Sequence, residues 1–234
     1  PVWLSDFHGL GPYSWSSADG AGLPLFAGPA RQYGVAAGAL TPALRVTLPV
    51  TRQAVTPPAS HWASSVTDPN APPMGMRMRL KASFNISTFP ADDQVILTAL
   101  KNYGLIVADN GSAMFVSGTP DDNWNNSDLD LLKTLKASDF EVVLMGPVYT
   151  PGNVPTGPAP TLTGLVANPM TISQGQSSTL SWTTANTIYT LVSPDVGPVR
   201  GTTASVHPTV TTTYRVYATN QYGRTTKSVA VTVQ

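Results

Sequence analysis

The stretch TTTYRVYATNQYGRTTKSVAVTV, Thr211 to Val233, alternates apolar and polar residues in two runs with a turn signal between them. Tyr214, Val216 and Ala218 share one face of the first run, and Val229, Val231 and Val233 one face of the second. Successive side chains of a strand point to opposite faces, so this period marks strands with one buried and one wetted side. The same period recurs upstream in STLSW, where Leu180 and Trp182 share a face, and ISQGQS, SPDVGP and NQYGR supply turn chemistry. Several short strands at regular spacing predict a β-sandwich from Thr161 to Gln234.

The strings GQSSTLSW, TTTYRVYATNQYGRTT and VAVTV resemble the bacterial immunoglobulin-like repeats of extracellular enzymes and surface proteins, over essentially all of 161–234. The resemblance implies an immunoglobulin-like β-sandwich without a disulfide, with Trp182 in the core and Tyr214 as a corner tyrosine. It implies a spacer or adhesive module and no catalysis, which fold alone does not confer.

Upstream lies GPVYTPGNVPTGPAPT, Gly146 to Thr161, rich in proline and glycine and without charge. Such a stretch predicts an extended, semi-rigid linker over 146–160, dividing a head of 1–145 from the sandwich of 161–234. The head reads as mainly β, a β-sandwich or jelly-roll-like domain with two short helices. ALRVTLPV (Ala43–Val50) alternates, with Leu44, Val46, Leu48 and Val50 on one face. MRMRLKASFNI (Met76–Ile86) alternates over a longer span, with Arg77, Arg79 and Lys81 on the polar face. In PADDQVILTALKNYG the apolar spacing turns helical. Asp92 and Asp93 lie in the first turn and Gly104 is placed to end the helix, so a helix is predicted over about 91–103. Asp109-Asn110-Gly111 between LIVA and SAMFVS reads as a hairpin tip. Ser127, with Asp130 three residues on, reads as the start of a second helix over about 128–136. DFEVVLM (Asp139–Met145) closes the head as a strand.

The strings PPMGMRMRLKASFNIS, ILTALKNYGLIVADNGSAMFVSGTPDDNWN and LDLLKTLKASDFEVV look like a secreted bacterial β-rich domain that recurs in soil and environmental genomes. The likeness extends more weakly upstream, to about residue 13. It carries no established activity and no catalytic residue. It implies a further β-rich region upstream of WSSADGAGLPLF, so that the head would begin part-way through a fold. The missing strands would then be absent, rearranged or supplied by another chain. Pro1 in place of an initiator Met likewise predicts a processed chain or a piece of a longer one.

Composition narrows the class. Charged residues are 11% of the chain, low for a globular protein, while 22 prolines and 19 glycines point to many turns. Formal charge is zero, which argues against a nucleic-acid partner, since phosphate neutralisation needs a basic excess. The absence of cysteine removes disulfides, thiolate metal sites and cysteine nucleophiles, and fits a bacterial exoprotein. No apolar run is long enough to span a membrane as a helix. The expected location is secreted or extracellular, at the cell surface.

The acidic and amide-rich run Val107–Leu132 holds the strongest candidates for chemistry. Asp109, Asp121 and Asp122 could act as acid and base on a glycoside, with Trp124 as a stacking platform. Asp121, Asp122 and Asn125 could bind calcium, the one cofactor these groups would suit, although their spacing is not that of an EF-hand. The plainer reading makes this run two turns and a helix cap. It leaves only Asp121–Asn125, with Asn123 and Trp124, without a structural task. Arg77, Arg79 and Lys81, with Arg45 and Arg52 on neighbouring strands, could grip an acidic glycan, or form a solvated face paired across the sheet. His61 and Trp62 in PPASHWASS could line a groove or pack as a loop. His8, His61 and His207 show no zinc spacing, and no phosphate loop or GxSxG is present. Trp3, Trp15, Tyr13 and Tyr33 add aromatics that suit either a contact or a core.

Two functions follow as expectations. The first is a non-catalytic extracellular surface or matrix protein, structural or adhesive, with self-assembly into fibres through β-strand contacts as its specific version. The second is a polysaccharide-binding or polysaccharide-degrading protein with an immunoglobulin-like accessory module. With no nominated acid and base pair, the sequence leans away from an enzyme. Expected partners are further copies, other surface proteins or a polysaccharide.

Overall fold

The computed structural model describes residues 19–24, 28–41, 43–143 and 145–234. The chain is mainly β, with 35% of residues in strands against 14% in helices. Its described residues divide by contact into two compact units, within 19–154 and 155–234.

In the first unit a short helix, α1 (Gln32–Ala36), precedes β1 (Leu44–Leu48). β2 (Arg77–Leu80), α2 (Ala91–Asn102) and β3 (Leu105–Asn110) follow. A four-residue helix, α3 (Asn126–Leu129), and β4 (Phe140–Val142) complete the unit. The four strands form one mixed sheet in the order β1-β3-β2-β4. β3 runs parallel to β1 on one edge and antiparallel to β2 on the other. Among the described residues this unit holds one sheet, whose apolar side is covered by α2 and by long connections. Leu44, Val46, Leu80, Leu97, Leu105 and Val107 are fully buried at the centre.

The parallel pair is covered on both faces, as such pairs require. Arg45, on the face of β1 opposite Leu44 and Val46, is therefore buried too, and its guanidinium pairs with the buried carboxylate of Asp19. Asp19 also accepts the Leu23 N–H at 3.0 Å. The Arg45 stem lies against Gly28, where a Cβ would overlap it. Val50, expected on the buried face, is beyond the strand and exposed.

Three expectations for this unit need correction. First, the alternation over Met76–Ile86 yields a strand only at Arg77–Leu80. The chain then turns, with Phe84 N–H donating to the Lys81 carbonyl, and the Lys101 ammonium of α2 holds the Ala82 and Phe84 carbonyls at 3.0 and 2.6 Å. Second, Asp109-Asn110-Gly111 is not a hairpin tip. Both edges of β3 are already taken, so the returning segment pairs with the far edge of β1. Thr47 N–H donates to the Phe115 carbonyl, Met114 N–H to the Thr47 carbonyl, and Val46 faces Val116. Third, the second helix is not continuous over 128–136. α3 gives way to a 3₁₀ turn over Asp130–Thr134, and a second 3₁₀ turn covers Ala137–Asp139.

α2 ends as expected. Gly104 sits at φ +75°, and the Ala99 carbonyl accepts from both Tyr103 and Gly104 N–H. The glycine is required twice, because a Cβ there would also overlap the Met78 carbonyl of β2.

The second unit is a sandwich of two sheets. β5 (Thr161–Asn168), β6 (Thr171–Ile172), β7 (Ser178–Ala185) and β8 (Tyr189–Ser193) lead. β9 (Gly197–Val199), β10 (Thr203–Val206), β11 (Thr212–Asn220) and β12 (Gly223–Val233) follow. One sheet has the order β10-β7-β5 and the other β6-β12-β11-β8-β9. Leu180, Trp182, Tyr214, Val216, Ala218 and Val231 meet in the core between them. The alternation in Thr211–Val233 thus points inward as expected. Burial, aided by the carboxylate of Asp195, pushes the Tyr214 phenol up.

The stretch 146–160 is mostly exposed and is held by hydrogen bonds at points near its two ends. Tyr149 and Val55 exchange backbone hydrogen bonds at 2.8 and 2.7 Å in the first unit. In the second, Asn220 Nδ2 donates to the Pro158 carbonyl at 2.9 Å and to the Asn186 carbonyl at 2.7 Å. Asn220 Oδ1 accepts from Tyr222 and Gly223 N–H at 2.8 and 3.0 Å. One buried amide therefore ties the entering chain to two turns.

Gly104→Ala is expected to lower the stability of the first unit by roughly 1–3 kcal/mol, through strain at positive φ and overlap with β2. Asn220→Ala is expected to cost the second unit roughly 2–4 kcal/mol, since it orphans several buried groups at once. Urea denaturation of each variant beside the parent checks both.

Candidate functional site

The loop after Thr119 is the strongest candidate in the sequence, and Asp121, Trp124 and Asn125 each make a local hydrogen bond there. Asp121 Oδ1 accepts from the N–H of Asn123 at 2.9 Å and from its Nδ2 at 2.8 Å, closing an Asx turn. Trp124 is half-buried, and its indole N–H donates to the Thr119 carbonyl at 2.8 Å. Asn125 Oδ1 accepts from Ser127 and Asp128 N–H, at 3.1 and 3.4 Å. Asn125, rather than Ser127, is therefore the N-cap of α3. Asp122 is exposed. One oxygen of Asp121 and the amide oxygen of Asn125 thus serve the backbone. Among the described residues no three His, Asp or Glu side chains gather in a group able to hold a metal ion.

Asp109 lies elsewhere, at the carboxyl end of β3 and against Gly20, where a Cβ would come 2.7 Å from its Oδ1. His61 meets the same segment. Its Nδ1 is 2.8 Å from the Gly20 carbonyl, so Nδ1 carries the proton and donates. Ser60 and His61 N–H both donate to the Ala21 carbonyl. Asn110 Nδ2 donates to the Ala63 carbonyl at 2.9 Å, and Thr51 Oγ1 donates to Asn110 Oδ1. The structure thus gathers His61, Asp109, Asn110 and Thr51 around Gly20–Ala21, with half-buried Trp62 next in the chain. Each polar contact clips loop to loop. Spacing gave no hint of this meeting, because the pieces come from four separate segments.

The basic stripe is a paired face. Arg79 Nε donates to Glu141 Oε1 at 2.6 Å, across the Arg79–Glu141 register of β2 and β4. The two side chains are 54% and 41% exposed, so the pair is worth under about 1 kcal/mol. Lys81 Nζ donates to the Ser138 carbonyl at 2.7 Å, and Arg77 is exposed. Arg45 is buried on its own carboxylate, and Arg52 is half-buried. The five cations do not form one open row. His207 is exposed beside Ser205. Trp3, His8, Tyr13 and Trp15 lie outside the described residues, and Tyr33 is exposed on α1.

Sequence reasoning placed Asp93 merely as a helix-dipole carboxylate. It is completely buried, and neither oxygen has a hydrogen-bond partner among the described residues. Asp93 is the third residue of α2, from which a carboxylate ordinarily reaches back to the N-cap N–H. The N-cap is Pro90, which has none. Burial, with the nearby charges of Asp128 and Asp92, raises the Asp93 carboxyl to about 6.

The second unit has one shallow cleft of about 380 Å³, bordered by Pro158, Asn186, Ile188, Asn220 and Tyr222. The amide of Asn220 at its base is fully bonded within the fold. Comparison of the chain with family models, with curated proteins and with solved structures gives no match.

The raised Asp93 carboxyl fixes the sign of a pH effect. The folded state holds the proton to higher pH than the unfolded chain does. Its contribution is therefore full below about pH 4 and is lost as pH rises through about 6. Asp93→Asn is expected to stabilise the first unit at pH 7 by roughly 2–3 kcal/mol and to flatten stability between pH 4 and 7. Denaturant midpoints across that range decide it; an unchanged slope would rule out Asp93 as its source.

Proposed function

We propose that this chain is a non-catalytic extracellular protein, structural or adhesive, in which a β-rich head is joined to an immunoglobulin-like spacer and copies associate by strand addition. The observation that carries the reading is the open edge of β4. In the β2–β4 ladder, residues 139, 141 and 143 face β2. The N–H and C=O groups of Phe140 and Val142 point the other way and have no partner among the described residues. Phe140 is buried and Val142 is 60% exposed, so the accessible part of the edge is at Val142. The opposite edge of the sheet, at β1, is covered by residues 114–117. Unpaired strand edges template pairing with another chain, and natural proteins usually blunt them. Here one edge is blunted and the other presents an apolar residue.

The engaged polar groups support the same reading. Asp121, Asn125, Trp124, Arg79, Lys81 and His61 each hold a turn, a cap, a strand pair or a loop clip. Low charge and the absence of cysteine suit an exported β protein.

The edge can be blocked without touching the core. The Val142 N–H faces outward, so a proline there removes a donor that the ladder does not use. Val142→Pro and Val142→Lys are expected to remain folded and to lose concentration-dependent association in sedimentation velocity, together with any fibres seen by negative-stain electron microscopy. Assembly undiminished in both variants would falsify strand addition at β4.

A further inference from the structure

The two parts of the chain carry opposite charge. Residues 155–234 contain Arg200, Arg215, Arg224 and Lys227 against the single carboxylate Asp195, a formal +3. The whole chain is neutral, so residues 1–154 carry −3.

On the second unit the cations are not spread evenly. β5, β7 and β10 contain none, and the outer face of their sheet is threonine and serine, with Thr179, Ser181, Thr183, Thr203 and Ser205. The cations lie on β11, β12 and the turn after β9, all belonging to the other sheet. Register fixes which of them share its outer face. Tyr214, Val216 and Ala218 point into the core, so Arg215 and Tyr217 point out. Leu191 faces Tyr217 across β8, and Tyr189 and Arg224 flank Thr219. The Arg224 guanidinium carbon lies 5.0 Å above the centre of the Tyr217 ring. The result is a platform of two half-buried tyrosines, one leucine and two exposed arginines on a rigid sheet. Tyrosine and arginine are the residue types that dominate binding energy at interfaces, and a preformed surface loses little entropy on binding.

The first unit offers a matching pole. Asp121, Asp122, Asp128 and Asp130 fall within ten residues around half-buried Trp124, and of the four only Asp130 is salt-bridged, to Lys133 at 2.6 Å. Asp92 adds its charge there, since Asp92 and Asp128 both act on buried Asp93.

We infer that the outer Tyr189–Tyr217–Arg215–Arg224 face of β8, β11 and β12 is a docking surface for the Asp121–Asp130 loop of a second copy of this chain. The contact joins two different patches, so it is heterologous: it forms a ring where the rotation between copies closes and a filament where it does not. It rests on the proposed self-association, and adds to the β4 edge a charge-selected contact that sets which end meets which. Complementary charge contributes chiefly to specificity and to the rate of encounter.

Charge reversal on the full chain tests this. One variant carries Arg215→Glu and Arg224→Glu; the other carries Asp122→Lys and Asp130→Lys. All four positions are exposed, and circular dichroism checks that both variants fold. Each alone is expected to associate at least tenfold more weakly than the parent in sedimentation equilibrium. An equimolar mixture of the two is expected to recover association, because each reversed patch then faces its reversed complement. Parent association is expected to weaken between about 0.01 M and 0.1 M salt, as the screening length falls from about 30 to about 10 Å. Association by each variant at parental strength overturns this contact while leaving strand addition at β4 standing. Loss in both variants without recovery in the mixture also overturns it. A parent that stays monomeric at every concentration and salt overturns the contact and the self-association reading together. A parent that binds polygalacturonate through the arginine face without self-associating assigns that face to an acidic glycan instead.

Discussion

The first unit is organised by the fact that β3 has two edges and both are taken. β1 lies parallel on one side and β2 antiparallel on the other. A strand leaving β3 therefore cannot fold back on it as a hairpin. Residues 112–117 must travel to the far side of β1, where they bond to Thr47 and Arg45 and close that edge. Closing one edge leaves the other, at β4, as the place where backbone groups lack partners among the described residues. The parallel pair also needs cover on both faces, which draws Arg45 inward and makes the Asp19 carboxylate necessary, since an unpaired buried guanidinium is far costlier than a paired one. The cation that sequence offered to a ligand is thus a consequence of topology.

The same economy explains the acidic and amide-rich run. A chain with 11% charged residues and 22 prolines has many turns to stabilise and few charged side chains to spare. Short side-chain oxygens are effective turn and cap formers, because they bond backbone N–H groups two or three residues ahead. Asp121 and Asn125 do this within five residues of one another. Asp93 is the exception. It sits where a carboxylate normally reaches back, but proline precedes the helix and nothing answers it. The burial that makes α2 a good cover for β2 keeps this carboxyl near the point of losing its proton at mildly acidic pH. Helix packing and pH response are linked at that residue.

What sequence could read here was set by the range of the forces involved. The alternation of Thr211–Val233 reports a solvent gradient across one sheet, a local property, and Tyr214, Val216 and Ala218 point inward as that pattern requires. Gly104 was legible because helix termination is written within a few residues. The β2 strand was overestimated because alternation says which way side chains would face, not whether a partner strand extends that far. β3 pairs with β2 only at Arg77 and Met78, and β4 from Met78 to Leu80. The Asp109–Gly111 turn was misread because its partner, β1, lies some sixty residues upstream. Glu141 as the partner of Arg79, and the meeting of His61 with Asp109 at Gly20, share that origin. Ser127 was displaced as cap by Asn125, since both are good caps and the backbone decides between neighbours.

Opposite charges at the two ends of the chain bear on how such a protein can stay soluble and still associate. A neutral chain with evenly mixed charge has little long-range repulsion to keep copies apart and nothing to orient them. Segregating +3 in residues 155–234 and −3 in residues 1–154 leaves net charge at zero but gives the two parts opposite sign. An open strand edge alone is indiscriminate, because backbone hydrogen bonds recognise any extended segment. An aromatic and arginine platform on one unit, set against an acidic loop on the other, supplies the selectivity that the edge lacks. Each is weak by itself. In the proposed assembly the charge contact selects the partner surface, and the strand edge supplies backbone hydrogen bonds.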